Sequence, residues 1–153
     1  MKTIVVTSGY FNPIHPWHID CFELAKMLGD ELWVIVNNDH QVMLKRWTQF
    51  QDEQFRMRVV ASLKPVDRVI LSIDSEKIGE EIPVIKTLEM VFAQIQEMYH
   101  GYVNIVFAKG GDRIGWRNVP ELPVCEKYGV KIIDGLWLKT HHSRDFLIGA
   151  DTI

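Results

Sequence analysis

Two histidines near the amino terminus, His15 and His18, have the residue type and spacing to bind an anion. Pro16 lies between them, and proline is tolerated in the first turn of a helix. Side chains three positions apart on a helix can point the same way, and the free N–H groups and dipole of a helix start favour phosphate. The spacing alone leaves two other interpretations open, since such pairs are usually surface residues and sometimes bind a metal ion.

The elements on either side of these histidines predict how they are positioned. Residues 2–7 form an apolar, β-branched run that is typical of a buried strand, and Gly9 marks a turn in which a side chain would be in the way. After the histidines, apolar residues recur at helical spacing until Gly29 supplies a helix stop: Ile19, Phe22, Ala25 and Leu28. The pair is therefore predicted at a helix start, directly above the end of a buried strand.

Strands and helices alternate along the rest of the chain. Four more strands are predicted at residues 32–36, 69–71, 103–108 and 131–133. Helices are predicted over residues 52–63, 83–99, 120–128 and 143–148, while residues 40–50 are expected to be irregular and the polar residues 74–81 to form an exposed loop. The apolar face of the helix over 52–63 is expected to contain Phe55, Val59, Val60 and Leu63.

This alternation indicates an α/β fold with a parallel sheet covered on both faces. We expect a Rossmann-like, doubly wound, five-stranded sheet in the order 3-2-1-4-5. Ligands bind such sheets at the carboxyl ends of the strands where the order reverses. The loops after strands one and four, residues 9–18 and 109–113, should therefore face one another across one crevice.

Composition limits the classes of function. The 153 residues are 47% hydrophobic and 24% charged, which fits a single globular domain over residues 1–153. A net charge of −3 without a long basic run argues against nucleic-acid binding, and no apolar run reaches the ~20 residues that span a membrane. Cys21 and Cys125 are too few for a disulfide framework and, without a signal peptide, favour the cytoplasm.

The segment GYFNPIHPWH, residues 9–18, resembles the G-x-F-[DN]-x-x-H-x-G-H signature of the HxGH nucleotidyltransferases, the cytidylyltransferase-like family. The next run, ELAKMLGDELWVIVNND, is similar to that family's continuation, and similarity extends in patches to about residue 149. The resemblance implies that His15 and His18 are catalytic and that three neighbours help to bind a nucleotide: Gly9, Tyr10 and Phe11. Trp17 departs from the pattern, because the family has glycine at this position.

Two further segments resemble substrate-binding motifs of the family. Lys45, in MLKR, falls on the position of a family lysine that contacts the triphosphate, which implies a catalytic role. The segment KGGDR is similar to the family's loop after the fourth strand and implies nucleotide binding by Lys109, Gly110, Gly111 and Asp112. Arg56 and Asp67 also match family positions, and we interpret both as structural, one as a helix-surface charge and one as a strand-entry aspartate.

The tail resembles the family's S-T-T-x-[IL] phosphate-binding motif only in part. Ser143 and Leu147 fit, whereas Arg144 and Asp145 replace the two threonines. The arginine that family members carry shortly upstream is also missing. We therefore expect Ser143 and Arg144 to bind the nucleotide, with Arg144 supplying the positive charge and Lys139 as a second candidate.

The resemblance implies a nucleotidyltransferase. The phosphate of a small acceptor would attack the α-phosphorus of a nucleoside triphosphate, and pyrophosphate would leave. Similarity to the glycerol-3-phosphate cytidylyltransferases slightly favours CTP and a polyol or sugar phosphate, whereas KGGD resembles the heptose-phosphate adenylyltransferases and favours ATP. A magnesium ion is implied by this chemistry, although no dedicated set of metal ligands is visible.

The sequence leaves two alternative functions open, and the resemblance implies one protein partner. A catalytically impaired nucleotide-binding or regulatory homologue would explain Trp17 and the altered SRDFL tail. A nicotinamide dehydrogenase is disfavoured, because the first strand lacks a G-x-G-x-x-G turn. The resemblance also implies a homodimer, for which four aromatic residues are candidate interface residues: Trp33, Trp47, Trp116 and Trp137.

Overall fold

The structure is a computed structural model that describes residues 1–109 and 119–134, and these residues form five strands and five helices. The strands are β1 (Lys2–Gly9), β2 (Glu31–Val36), β3 (Arg68–Leu71), β4 (Val103–Ala108) and β5 (Lys131–Ile133). The helices are α1 (Pro16–Lys26), α2 (Asp39–Leu44), α3 (Glu53–Ala61), α4 (Ile85–Met98) and α5 (Leu122–Lys127). The predicted tail helix over residues 143–148 lies outside the described residues.

The strands form one parallel sheet in the order β3-β2-β1-β4-β5. This order confirms the predicted Rossmann-like α/β fold. Val6 of β1 lies opposite Trp33 of β2 on one side and opposite Phe107 of β4 on the other. Because the order reverses between β1 and β4, the carboxyl ends of these strands frame a crevice.

Helices cover both faces of the sheet, which explains the continuous apolar sequence of β2. Residues 32–36 of β2 have no solvent exposure, and successive side chains enter opposite cores. One core contains Trp33 and Ile35 together with Leu88 and Phe92 of α4. The other core is formed with α1 and α3 and includes Val34, Val36, Phe22, Ala25 and Val60.

The buried position of Trp33 contradicts its assignment as a candidate dimer residue. Its side chain has 0% exposure, and the indole N–H donates to Glu31 Oε1 at 3.1 Å. Trp47 is 52% exposed and remains available, while Trp116 and Trp137 lie outside the described residues. The homodimer stays a prediction.

Helix α2 occupies residues 40–44 of the segment that was expected to be irregular over residues 40–50, and residues 45–50 are irregular as expected. Asn38 begins the helix: its Oδ1 accepts from the Gln41 N–H at 2.9 Å, and Gln41 Oε1 accepts from the Asn38 N–H at 2.9 Å. This reciprocal pair is a capping box, which satisfies backbone donors that a short helix would otherwise leave free. Residues 39–44 were not predicted to be helical because the helix is too short to show apolar periodicity, and its sequence signal is the N-x-x-Q pair at Asn38 and Gln41.

Helix α3 turns a different face inward from the one expected. Arg56 is fully buried, whereas Phe55 is 54% exposed. Val60 and Leu63 pack in the core as expected. The interpretation of Arg56 as a helix-surface charge was therefore wrong, and the reason lies in the carbonyl groups that surround it.

The segment expected to be an exposed loop over residues 74–81 begins with a buried carboxylate. Asp74 is 5% exposed and accepts from the backbone N–H groups of Lys86 and Thr87 at 2.8 and 2.9 Å. It thereby serves the start of α4, whose own N-cap residue, Val84, provides no side-chain hydrogen bond. Residues 75–80 of the expected loop are exposed, and Glu81 is half-buried.

Gly29 has a different role from the helix stop expected of it. Helix α1 already ends at Lys26, and a Cβ at Gly29 would lie 2.8 Å from the carbonyl oxygen of Thr3 in β1. The glycine permits a close backbone approach. Within residues 1–109 and 119–134, no helix combines the length and apolar character needed to cross a membrane.

Candidate active site

His15 and His18 lie at the start of α1, where the His18 ring accepts a hydrogen bond from the backbone of His15. His15 is the N-cap residue, and its Nδ1 accepts from the Trp17 N–H at 3.2 Å. His18, at the third helical position, accepts the His15 N–H at its own Nδ1 at 2.9 Å. The pair thus lies at a helix start above β1, as the sequence predicts.

These hydrogen bonds determine which ring nitrogen carries the proton. A backbone N–H can only donate, so Nδ1 of each histidine is an acceptor and the proton of each neutral ring is on Nε2. The two ring centroids are 6.1 Å apart with an interplanar angle of 86°. Two imidazole N–H donors are therefore available to a ligand beside the positive end of the helix dipole.

The surroundings of His18 keep its ring neutral. Burial, followed by the nearby His15, lowers the pKa of His18 to about 4. The Phe11 ring meets it edge-on at 5.1 Å between centroids. At neutral pH His18 can therefore donate a hydrogen bond without bringing a charge into the site.

Gly9 and Phe11 shape the loop beneath the histidines. Phe11 is 4% exposed, has a φ of 52°, and packs against Phe22. A Cβ at Gly9 would lie 2.6 Å from the Phe11 ring, so only glycine leaves room for this ring under the loop. The structure places the Phe11 side chain in the core, and nucleotide binding by Gly9 and Phe11 stays a prediction that concerns their backbone.

Asn12 connects the motif loop to the loop between α2 and α3, residues 45–52. Its Nδ2 donates to Thr48 O at 2.7 Å, and its Oδ1 accepts from the N–H groups of Phe50 and Gln51 at 2.9 and 3.3 Å. One amide side chain thus satisfies three backbone groups that are 36 to 39 residues away. The sequence motif contains Asn12 but gives no sign of these partners.

The buried side chain of Arg56 connects four segments of the chain through hydrogen bonds and an ion pair. It donates from Nη1 to the carbonyl oxygens of Tyr10 and Asn37 at 2.7 and 2.6 Å, and from Nε to Gln51 O at 3.0 Å. Its Nη2 pairs with Asp39 Oδ1 at 2.9 Å. A buried guanidinium is tolerated because its donors have partners. Arg56 therefore holds the motif loop against the carboxyl end of β2.

Lys45 lies beside the motif residue Tyr10, and its catalytic role stays a prediction. It caps the carboxyl end of α2, and its Nζ lies 5.3 Å from the Trp47 ring centroid and 5.9 Å from that of Tyr10. The two rings pack edge-to-face at 4.9 Å. Burial raises the pKa of Tyr10 to about 12, so the phenol stays neutral and Lys45 brings the positive charge.

Lys109 marks the other side of the crevice, at the end of β4. Thr7 Oγ1 donates to Ala108 O at 2.8 Å and joins β1 to β4 just before this point. Lys109 Nζ lies 3.9 Å from Oε1 of Glu121, a buried carboxylate that sequence reasoning missed. The other predicted nucleotide ligands lie outside the described residues: Gly110, Gly111, Asp112, Ser143 and Arg144.

The described residues do not form a magnesium site on their own. Within residues 1–109 and 119–134, no group of three or more His, Cys, Asp or Glu side chains is arranged to hold a metal ion. Mg²⁺ in nucleotide sites takes several oxygen ligands from phosphates and water. Phosphate oxygens of a bound nucleotide would be suitable ligands for a magnesium ion at this site.

Known proteins resemble this chain in both sequence and fold. It is 52% identical over 67 residues to an FAD synthase of Archaeoglobus profundus, covering 44% of this chain and 43% of the relative. Identity to an FAD synthase of Ferroglobus placidus is 48% over 86 residues, covering 56% and 55%. The chain thus spans about half the length of the curated relatives it matches.

A solved structure extends the similarity over most of the fold. A lipopolysaccharide core biosynthesis protein from Thermoplasma volcanium superposes with a TM-score of 0.62 at 26% identity, covering 88% of this chain and 96% of that one. The model of the cytidylyltransferase-like family matches residues 6–153. Since this match covers most of the chain and includes the histidine pair, the chain belongs to the cytidylyltransferase-like family.

Proposed function

We propose that this protein is a nucleotidyltransferase that moves a nucleoside monophosphate from a nucleoside triphosphate to a phosphorylated acceptor. The observation that carries the proposal is the pair of imidazole rings at the start of α1 whose Nδ1 atoms accept backbone N–H groups, which leaves each Nε2–H to donate to a phosphate. They lie at the carboxyl end of β1, beside the reversal of strand order where ligands of such sheets bind.

The reaction is a single displacement at phosphorus. An oxygen of the acceptor phosphate forms a bond to the α-phosphorus, the bond from that phosphorus to the β-bridging oxygen breaks, and pyrophosphate leaves with both electrons. His15 and His18 would donate from Nε2 to phosphate oxygens on which negative charge increases in the transition state. Their Nδ1 atoms are occupied by backbone N–H groups, so they act as donors and not as bases. Lys45 would add a mobile positive charge.

ATP and flavin mononucleotide are the substrates that the relatives favour. FAD is flavin mononucleotide joined to AMP through a phosphoanhydride, so the name FAD synthase implies adenylyl transfer from ATP. These relatives give no support to CTP or to a polyol phosphate acceptor. A sugar phosphate is the second candidate acceptor, because the structural neighbour is a lipopolysaccharide core biosynthesis protein.

Pyrophosphate release measured with each of four nucleoside triphosphates, against flavin mononucleotide, glycerol 3-phosphate and a heptose phosphate, tests the proposal. We expect release with ATP and flavin mononucleotide, accompanied by FAD on chromatography. His15→Asn is the matched control, because asparagine retains a cap acceptor but lacks the imidazole N–H. Tight ATP binding by calorimetry without pyrophosphate from any pair would instead identify a nucleotide-binding homologue, in which the Trp17 ring, 4.2 Å from that of His15, obstructs transfer.

A further inference from the structure

A basic groove lies on the opposite side of β1 from Lys109. It has a volume of about 320 Å³ and is lined by Leu44, Lys45, Arg46, Lys77, Glu80 and Ile82. Three cations face it against one carboxylate. Of the ion pairs formed among the described residues, none involves Arg46 or Lys77. The groove therefore carries positive charge that these residues do not neutralise.

Two segments that follow neighbouring strands line this groove. One wall is the carboxyl end of α2, which comes after β2, and the other is the segment between β3 and α4. Asn38 Nδ2 joins the walls by donating to Ser72 O and Asp74 O at 2.9 and 2.8 Å. Both segments leave the carboxyl ends of their strands, the edge where parallel sheets bind ligands.

The side chains of the groove are held on defined backbone. Ile78 and Glu81 exchange backbone hydrogen bonds of 2.8 and 2.9 Å, and this tight turn lies beside Lys77 and contains Glu80. Arg46 follows Lys45, the C-cap residue of α2, and has a φ of 60°, the left-handed conformation in which helices commonly end. The end of α2 therefore fixes the backbone from which the Arg46 side chain extends.

We propose that this groove binds the phosphate of the acceptor, a phosphomonoester dianion, and that Arg46 and Lys77 determine affinity for it. Lys45 connects the groove to the motif, since its Nζ also lies over the Tyr10 ring. The predicted nucleotide loop at Lys109 follows β4, on the far side of β1. The acceptor would thus approach from the β2–β3 half of the sheet, leaving the β4 half to the nucleotide. The inference rests on the proposed transferase function.

Calorimetric titration with flavin mononucleotide, glycerol 3-phosphate, riboflavin and ATP tests the groove without requiring turnover. Lys77→Ala and Arg46→Ala should each weaken binding of a phosphomonoester about tenfold, which one charge-assisted hydrogen bond can account for. Binding of ATP, and of riboflavin, which lacks the phosphate, should change less than about twofold. Lys64→Ala is the matched control: this exposed lysine lies between α3 and β3, at the amino ends of the strands, whereas the groove lies at their carboxyl ends.

The assignment would be overturned if neither phosphomonoester bound the wild type, or if Lys64→Ala had the same effect as Lys77→Ala. If no groove variant weakened binding, Arg46 and Lys77 would be ordinary surface charges. If ATP lost as much affinity as the phosphomonoesters, the two residues would belong to the triphosphate site. Failure of the transferase function is a separate result. It would appear as absence of pyrophosphate from the wild type, while the loss of phosphomonoester binding in Lys77→Ala would still establish the groove.

Discussion

Nδ1 of His18 accepts the backbone N–H of His15 at 2.9 Å, and this bond separates two functions of one ring. The Nδ1 side completes a capping box at the start of α1. The Nε2 side carries the proton that a phosphate oxygen can accept. Substitution of His18 therefore affects both helix stability and phosphate binding, and suitable variants can distinguish the two.

His18→Gln and His18→Ala should lose activity to a similar degree but differ in stability. Glutamine is a common third residue of a capping box and can keep the bond to the His15 N–H, whereas alanine cannot. We expect kcat to fall at least ~10²-fold in both variants, the range for losing one preorganised transition-state contact. Only alanine should also lose about 1 kcal/mol of cap stabilisation, seen as a Tm about 2–4 °C below that of the glutamine variant. Near-normal turnover in both variants would contradict the catalytic assignment.

The depressed pKa of His18 predicts how stability varies with pH. The folded pKa is about 4, and the unfolded value is 6.5. Below pH 6.5 the His18 ring of the unfolded chain takes up a proton that the folded ring does not. The stability that neutral His18 contributes is therefore fully present above pH 6.5 and is lost as the pH falls toward 4. Urea unfolding at a series of pH values should show a smaller loss in His18→Gln than in the wild type. An NMR titration that places His18 near its ordinary pKa would contradict the prediction.

Arg56→Lys should destabilise the protein far more than the same change at Arg58. The guanidinium of Arg56 donates in separate directions to Tyr10, Asn37 and Gln51, and an ammonium on a flexible stem cannot reproduce that fork. Buried carbonyl groups would lose their partner beside a poorly paired charge, at a cost of about 3–5 kcal/mol. Arg58 is exposed on the same helix, and its change should fall within about 0.5 kcal/mol. Equal free energies of unfolding for the two variants would show that Arg56 does not hold these segments together.

The sequence predicted the features that depend on local pattern. The bounds of β4 and β5 match the expected residues 103–108 and 131–133, because apolar β-branched runs ended by turn residues leave little choice. The strand order and the place of the histidine pair followed from the alternation of elements and the motif. Helix α2 was not predicted because the sequence indicates it through a capping box and not through apolar residues at helical spacing.

The contacts that escaped prediction join residues far apart in the chain. Apolar periodicity placed Phe55 inside α3, but the carbonyl groups of Tyr10 and Asn37 converge there and require a donor, which Arg56 supplies. No sequence pattern indicates which carbonyls converge, since that depends on the packing of four segments. The same reason hides Asn12, whose partners are 36 to 39 residues away.

Asn12 should position the α2–α3 loop and, through it, Lys45. In Asn12→Ala the backbone groups of Thr48, Phe50 and Gln51 lose their shared partner, so the loop should open more often. Trypsin should then cleave after Lys45 or Arg46 faster than in the wild type, and kcat/KM should fall about tenfold, as expected from losing net hydrogen bonds of about 1 kcal/mol each. Asn12→Asp keeps the acceptor for Phe50 and Gln51 but loses the donor to Thr48 O, so both effects should be intermediate.

Asn104→Ala is the control for this prediction, since Asn104 is an exposed asparagine on β4, away from the loop. It should leave both the cleavage rate and kcat/KM unchanged. A positioning role requires that the two readouts change together in the order Ala, Asp, wild type. If Asn12→Ala lowered kcat/KM without faster cleavage at Lys45 and Arg46, Asn12 would act on the substrate directly, because a loop that retains its protection has not been released.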